Sequence, residues 1–222
     1  MSRFPDPRYA RGDVVALGDD LRVDTLRDAY RHGIFPWPHE ELPLPWFSPR
    51  WRTVILFEEL HVGRSLRKTQ SHSRFTFTID RAFEEVIAAC AKTPRADATG
   101  TWISAEIIAA YTRLHRAGDA HSVEVWRGKT LAGGLYGIDA GGVFTGESMF
   151  HSVADASKVA LLFLVEHLRA RGTTWIDCQV MTPHMAALGA REISRSRFLD
   201  MLAETQARAL DLFDNSTSNI QH

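Results

Sequence analysis

Apolar positions along this chain change their spacing several times, and each change marks an element. Leu26, Ala29 and Tyr30 recur at helical spacing, with Asp24 ahead of them as a candidate N-cap and Gly33 as a stop. From residue 34 to 49 the periodicity gives way to Pro36, Pro38, Pro43, Pro45 and Pro49, interleaved with Phe35, Trp37, Trp46 and Phe47. Proline fixes φ and lacks an N–H, so this stretch predicts neither helix nor interior strand but an irregular lobe held by aromatic packing. Residues 53–57 (TVILF) predict a strand and residues 61–74 a basic helix or turn. Phe75 to Ile79 alternates apolar residues with threonine, the pattern of a half-buried strand. Asp80 then stands where a cap belongs for a helix through Phe83, Val86, Ile87 and Cys90.

The second half reads more regularly. Ser104 caps a predicted helix with Ile107, Ile108, Tyr111 and Leu114 on one stripe, closed by Gly118. Strands follow at 121–126 and 131–138, a hairpin turn at Asp139-Ala140-Gly141-Gly142, and a return strand at 143–150. Asp155 is the expected cap of a long helix over 156–171, with Val159, Leu162, Phe163 and Leu168 inside and Gly172 at its end. Trp175 to Val180 predicts a strand, Thr182-Pro183 a short helix ending at Gly189, and 195–212 a last helix. Antiparallel strands, a helix, then a strand able to pair beside them make the class α+β. The expected division is a small lobe over 1–52, a larger domain over 53–214 and a disordered tail over 215–222.

Composition narrows the function classes. A chain of 222 residues that is 45% hydrophobic and 24% charged can bury a core without disulfides or a structural metal. Lys plus Arg number 26 against 27 Asp plus Glu, so net charge gives no pull toward nucleic acid and any polyanion surface must be local. The one clear basic cluster of the first half is Arg64, Arg67, Lys68 and Arg74; the first three fall within one helical turn. That cluster reads either as a solvated helix face or as a surface for a polyanion. Only Cys90 and Cys178 are present, which fits a reduced setting. Neither the apolar centre of a signal peptide nor a run of roughly 18 apolar residues occurs, so a soluble protein without a membrane anchor is expected, and Asn215-Ser216-Thr217 reads as a chance glycosylation match. The ten histidines are scattered without ligand spacing, and no metal site is expected.

Three polar residues stand out against apolar surroundings. Asp177 and Gln179 are two apart in a strand-like run, which places them on one face with Trp175, while Ile176, Cys178 and Val180 point to the other. By spacing alone they are a polar pair or simply a solvent-facing strand end. Glu147 interrupts Val143, Phe144, Met149 and Phe150, so its carboxylate needs a partner, either an arginine or a substrate group.

The order of short motifs carries more than any one of them. They are Ala29-Tyr30-Arg31-His32-Gly33-Ile34-Phe35-Pro36-Trp37, Trp46-Phe47-Ser48-Pro49, Gly100-Thr101-Trp102-Ile103, His121-Ser122-Val123-Glu124-Val125-Trp126, Gly146-Glu147-Ser148-Met149-Phe150, Ala156-Ser157-Lys158 and Asp177-Cys178-Gln179-Val180. Spread over roughly residues 18–199, this series resembles the leucyl/phenylalanyl-tRNA–protein transferase family. The resemblance implies a small N-terminal lobe and a GNAT-like acyltransferase domain with a mixed, mostly antiparallel sheet flanked by helices. It implies a cytoplasmic bacterial enzyme that moves Leu or Phe from aminoacyl-tRNA to proteins beginning with Arg or Lys, marking them for degradation. No cofactor is implied, since the charged tRNA is itself the donor. The absence of coiled-coil heptads leans the expectation toward a monomer.

Carried onto these residues, the resemblance makes Asp177 and Gln179 the catalytic centre. Glutamine cannot be a free base, but it can accept from the attacking amine while Asp177 orients it or takes the proton. Glu147 would bind the donor amino group or a ribose hydroxyl. Phe144 and Met149, with Leu135 and Leu164 near them, would wall an apolar pocket that also admits Met. Trp37, Trp102, Tyr30 and Tyr111 would surround the terminal adenosine, and the cluster of Arg64, Arg67, Lys68 and Arg74 would hold the acceptor stem. The Pro43-Leu44-Pro45 spacing and Trp46-Phe47 depart from the usual Trp-Trp-Ser-Pro piece. Rival readings are an acetyl-CoA-dependent GNAT acetyltransferase, a thiol hydrolase using Cys178 with His184, and a non-catalytic tRNA-binding module. The stretch His151 to Lys158 lacks the glycines of a pyrophosphate grip, which weighs against the first.

Overall fold

The computed structural model describes residues 2–18, 20–38, 43–93 and 101–213. Gly100 and the 215–222 tail, with its Asn215-Ser216-Thr217 match, lie outside the described residues. The chain opens on a 3-10 turn, Pro7–Tyr9, and then strand β1 (Val14–Leu17), helix α1 (Val23–Arg31), β2 (Phe35–Pro36) and β3 (Pro45–Phe47). The proline-rich lobe is therefore more regular than expected: β1, β3 and β2 form a small antiparallel sheet in that order. The strands tolerate proline because they are two to four residues long and Pro36 and Pro45 stand at strand ends. The N-cap of α1 is Arg22, not Asp24; Asp24 lies in the first turn, where an acid complements the helix dipole, and pairs with Arg27 at 3.1 Å.

Among the described residues the larger sheet has seven strands. They are β4 (Trp51–Leu56), β5 (Phe75–Ile79), β6 (Ala120–Arg127), β7 (Thr130–Asp139), β8 (Phe144–His151), β9 (Trp175–Gln179) and β10 (Arg191–Ser194), in the spatial order β10-β4-β9-β8-β7-β6-β5. Among the described residues every pairing in this sheet is antiparallel except β8 with β9. Helices cover both faces. On one lie α3 (Phe83–Lys92), α4 (Ala105–Arg116) and α7 (Arg195–Gln206), whose core runs on into Leu26, Ile34, Phe35 and Trp46 of the small lobe. On the other lie α2 (Arg64–His72) and α5 (Ala156–Ala170), packed on Val123, Val125, Leu135, Phe144 and Ile176. Close approach of α5 depends on Gly133, where a Cβ would sit 2.7 Å from that of Ala156. The short α6 (Pro183–Ala187) follows β9, capped by the Thr182 hydroxyl accepting from Met185 N–H.

Ser104 caps α4 as expected, accepting from Ile107 N–H. Two other acids expected to cap do not. Asp80 has φ 59° and accepts instead from Ser122 N–H at 2.8 Å, with His121 Nδ1 2.6 Å away. The amides leading into α3 are satisfied by buried Glu124, which accepts from Arg81 and Ala82 N–H at 3.3 Å each. Asp155 occupies the cap position of α5 at φ 64°, but its carboxylate pairs with Lys158 rather than with the helix backbone. The last helix stops at Gln206 instead of 212, and β10 precedes it.

Candidate active site at the parting of two parallel strands

The β8–β9 pair is short; Thr145 opposite Asp177 is its one register pair. Irregularities then follow on both strands. Tyr136 of β7 faces Ser148 and Gly137 faces Gly146, which leaves Glu147 as an extra residue in β8. Thr53 of β4 faces Gln179 and Val54 faces Asp177, which leaves Cys178 as an extra residue in β9. Bulges bend a strand and re-aim its side chains, and here they flank the point where the two parallel strands part.

At that point the polar residues meet. Asp177 is completely buried and fully engaged. Arg52 grips it through Nε to Oδ1 at 2.8 Å and Nη2 to Oδ2 at 2.6 Å. Thr145 Oγ1 donates to Oδ2 at 3.1 Å, and Gln179 N–H donates to Oδ1 at 2.9 Å. The last bond is an Asx-type closure, a side chain bonding its own backbone two residues on. It holds Gln179 at φ 62° inside a three-residue turn in which Val180 N–H donates to the Cys178 carbonyl at 2.8 Å. A positive φ at a non-glycine residue is strained and persists where surroundings over-determine it. Asp177 and Gln179 are thus brought together as expected, by a side chain-to-backbone bond rather than by strand alternation. Trp175 and Asp177 do share one face, with Ile176 and Cys178 on the other.

Gln179 turns its amide toward Glu147. Its Nε2 donates to Glu147 Oε1 at 2.6 Å, and the Tyr30 hydroxyl donates to the same oxygen at 2.7 Å. Tyr111 and Tyr30 share a hydroxyl contact of 2.5 Å behind it. Among the described residues no arginine pairs with Glu147, so the salt-bridge alternative for this acid is not the one adopted. Burial pushes the Glu147 carboxyl up to about 7 despite the lowering by both hydrogen bonds. Burial and then the Glu147 charge hold Tyr30 and Tyr111 well above the usual phenol range, so both remain donors.

The chain belongs to the leucyl/phenylalanyl-tRNA protein transferase family. The sequence model of that family matches residues 54–203, and the model of the family's N-terminal domain matches residues 19–50. A protein of Chromohalobacter salexigens named leucyl/phenylalanyl-tRNA–protein transferase is 60% identical over 202 residues, 90% of this chain and 78% of its own. Proteins of the same name from Desulfatibacillum aliphaticivorans and Pectobacterium carotovorum are 50% and 48% identical, covering 91% and 94% of this chain and 87% and 89% of theirs. The two matched stretches lie in both lobes, and the N-terminal stretch contains Tyr30, whose hydroxyl donates to Glu147.

The other expected residues divide. Tyr30 and Tyr111 are buried, so stacking on an adenine is closed to them; the Tyr30 hydroxyl donates to Glu147 instead, and the Tyr111 hydroxyl contacts that of Tyr30. Trp37 and Trp102 are half-buried at the rim of the core, and Trp37 packs 5.6 Å from Phe47. Phe144 and Met149 face α5, across the sheet from Tyr30, with Leu135 and Leu164 in the same cluster. Arg64, Arg67, Lys68 and Arg74 are all exposed, with Leu66 buried beneath the first three. Burial first, and the Asp177 charge next, push the Cys178 thiol far above its usual range, which weighs against the thiol hydrolase. Among the described residues no helix is long and apolar enough to cross a membrane, and no group of three His, Cys, Asp or Glu is placed to hold a metal. Sequence reasoning missed Arg52 and Thr145. The signal for Arg52 was a charged residue opening the apolar run RTVILF, where it requires an acid.

Proposed function

We propose that this enzyme transfers Leu or Phe from aminoacyl-tRNA to the α-amine of proteins beginning with Arg or Lys. The observation that carries the reading is Gln179, held at a strained turn by Asp177 and oriented by Glu147 where β8 and β9 part. An ester of tRNA is already activated, so catalysis needs alignment, one proton acceptor and stabilisation of a tetrahedral oxyanion. With Nε2 given to a carboxylate, the Gln179 amide is fixed, and Oε1, taken by no described residue, can accept from an incoming amine. That aligns the amine lone pair through a neutral acceptor, so the bond itself does not favour the ammonium. Gln179 keeps 7% of its surface and Glu147 is part-exposed, whereas Asp177 keeps none. We therefore read Asp177 as a positioning residue.

The donor side chain would pass at the parted strands to the α5 face, where Phe144, Met149 and Leu135 are apolar. A pocket of that kind selects by volume and excludes charge, so Met is admitted with Leu and Phe. Trp37 and Trp102 would stack on the terminal adenosine, and Arg64, Arg67, Lys68 and Arg74 would meet phosphates of the acceptor stem. We take residues 1–52 as a lobe that completes the site with Tyr30, and the working unit as a cytoplasmic monomer needing no cofactor. An acetyl-CoA reading meets a specific obstacle. The Asp155 carboxylate stands at the start of α5, in the place where a pyrophosphate would need bare N–H groups.

The test mixes the protein with labelled Leu-tRNA and a peptide beginning with Lys. Label moves to the peptide, and Gln179→Ala slows its transfer by on the order of 10²-fold. Modification of the same peptide from acetyl-CoA, with none from charged tRNA, would refute the assignment.

A further inference from the structure

Two carboxylates meet at this site, and their lone pairs are spent differently. Both Asp177 oxygens are taken, Oδ1 by Arg52 and the Gln179 N–H, Oδ2 by Arg52 and Thr145. Its side chain is sealed from solvent. Glu147 accepts both of its hydrogen bonds, from Tyr30 and from Gln179, on Oε1. No described residue donates to Oε2, and the residue is part-exposed. A proton acceptor must have a free lone pair within reach of the reacting amine.

Resting on the aminoacyl-transfer reading, we infer that Glu147 is the catalytic base of the reaction, with Oε2 as the atom that takes the proton. The acceptor amine, held by Gln179 Oε1, forms a bond from its nitrogen to the ester carbonyl carbon. The carbonyl π pair moves to oxygen, and the N–H proton moves to Glu147 Oε2. On collapse the carbon–oxygen bond to the ribose 3′-oxygen breaks. The proton on Oε2 passes to that leaving oxygen, and Glu147 returns to a carboxylate. The two donors on Oε1 keep the carboxylate from rotating. They also keep it hydrogen-bonded in both protonation states, since the Gln179 amide does not titrate and burial holds the Tyr30 phenol well above its usual range.

Burial is what tunes the group. The groups facing Glu147 are Tyr30 from α1, Tyr111 from α4, Gln179 and Asp177 from β9, and Arg52 from β4. Desolvation dominates, and the opposed charges of Asp177 and Arg52 act weakly and in opposite directions. A base near about 7 is half-ionised at neutral pH and can still return its proton, which suits one group doing both tasks.

The experiment is single-turnover transfer from labelled Leu-tRNA to a Lys-initiated peptide across pH 5.5–9, with wild type, Glu147→Gln and Tyr30→Phe. Gln keeps the size of the side chain and can accept from Tyr30 and Gln179 through its carbonyl. The rate is expected to fall by about 10²–10⁴-fold in Glu147→Gln, with Leu-tRNA affinity held within about threefold. The limb of the pH profile near 7 should vanish, leaving the limb of the acceptor amine near about 7.7–8.0. Tyr30→Phe removes one donor to Oε1 and so should move the first limb to higher pH by about half a unit or more. Glu147→Ala should regain rate with added formate, which a purely structural role does not allow. The inference is overturned if Glu147→Gln keeps the wild-type rate, or if its defect lies in tRNA affinity with the pH profile intact. An unmoved limb in Tyr30→Phe would overturn it equally. A wild-type protein that moves no label at all would instead sink the transfer reading.

Discussion

Arg52→Met tests whether the site is built on the buried ion pair. Arg52 is 1% exposed and Asp177 is 0% exposed, and the guanidinium makes two charged hydrogen bonds to the carboxylate. It also lies between Phe35 and Phe198, 4.7 and 4.4 Å from their ring centroids, and donates to the Gly33 carbonyl. Methionine fills the slot between the rings but leaves Asp177 desolvated, without its cationic partner and held only by Thr145 and the Gln179 N–H. Removing one partner of a buried pair costs about 3–5 kcal/mol. Lost cation–π contact adds about 1 kcal/mol, which packing of the methionine largely offsets. A net loss of about 4 kcal/mol, at a urea m value of about 2.5 kcal/mol per molar, lowers the unfolding midpoint by about 1.6 M. Arg52→Met combined with Asp177→Asn removes both charges, so the double variant should recover more than half of the summed single losses. Transfer activity should fall in all three beyond the loss of folded protein, because the Asx-type bond that fixes Gln179 weakens. A midpoint moved by less than about 0.4 M in Arg52→Met, or strict additivity in the cycle, would refute the reasoning.

Three further outcomes are expected. Glu147 binds its proton more tightly folded, near about 7, than unfolded, near 4.5, so its ionisation costs stability as pH rises through that window. Glu147→Gln should therefore gain about 1–3 kcal/mol on wild type at pH 8 relative to pH 4, and an equal gain at both, read from urea titrations, would disprove the burial effect. Arg67→Glu with Lys68→Glu should weaken Leu-tRNA binding and reduce the slope of log K against log salt by about two; a filter-binding slope equal to wild type would take α2 off the tRNA surface. Gly137→Ala would place a Cβ 2.3 Å from the Thr145 carbonyl oxygen and 2.5 Å from the Phe144 ring, pressing on the strand that carries Glu147. It should cost about 1–3 kcal/mol or more, and a melting temperature within a degree of wild type would show that β8 yields without effort.

What the sequence discloses about the fold depends on how local each cause is. The Phe75–Ile79 alternation, the Ser104 cap and the Asp139–Gly142 turn are each settled within a few residues, and each appears where the pattern places it. Asp80 and Asp155 look like caps by the same local logic, but both take positive φ and spend their carboxylates on other partners. The amides leading into α3 are satisfied by Glu124, 42 residues from Ala82, which no window around residue 80 contains. Pro36 and Pro45 conceal a sheet because proline excludes interior strand positions only, and strands of two and three residues have almost no interior. Arg191–Ser194 escapes for a related reason: four residues with one apolar member carry no period.

The site divides along the same line. Asp177, Gln179 and Glu147 announce themselves as polar residues in apolar strands, yet their division of labour is set by groups remote in the chain. Arg52 lies 125 residues from Asp177, and Tyr30 lies 117 from Glu147. With Arg52 absent, Asp177 would be the natural base by position, since it neighbours the glutamine in sequence. With Arg52 present its charge is held and its lone pairs are used. The proton-accepting capacity then shifts to the acid that a bulge turns toward two phenols and an amide. Sequence spacing therefore names the members of this cluster, and the count of donors on each oxygen assigns the roles. By that count the order of reactivity is opposite to the order of proximity in the chain.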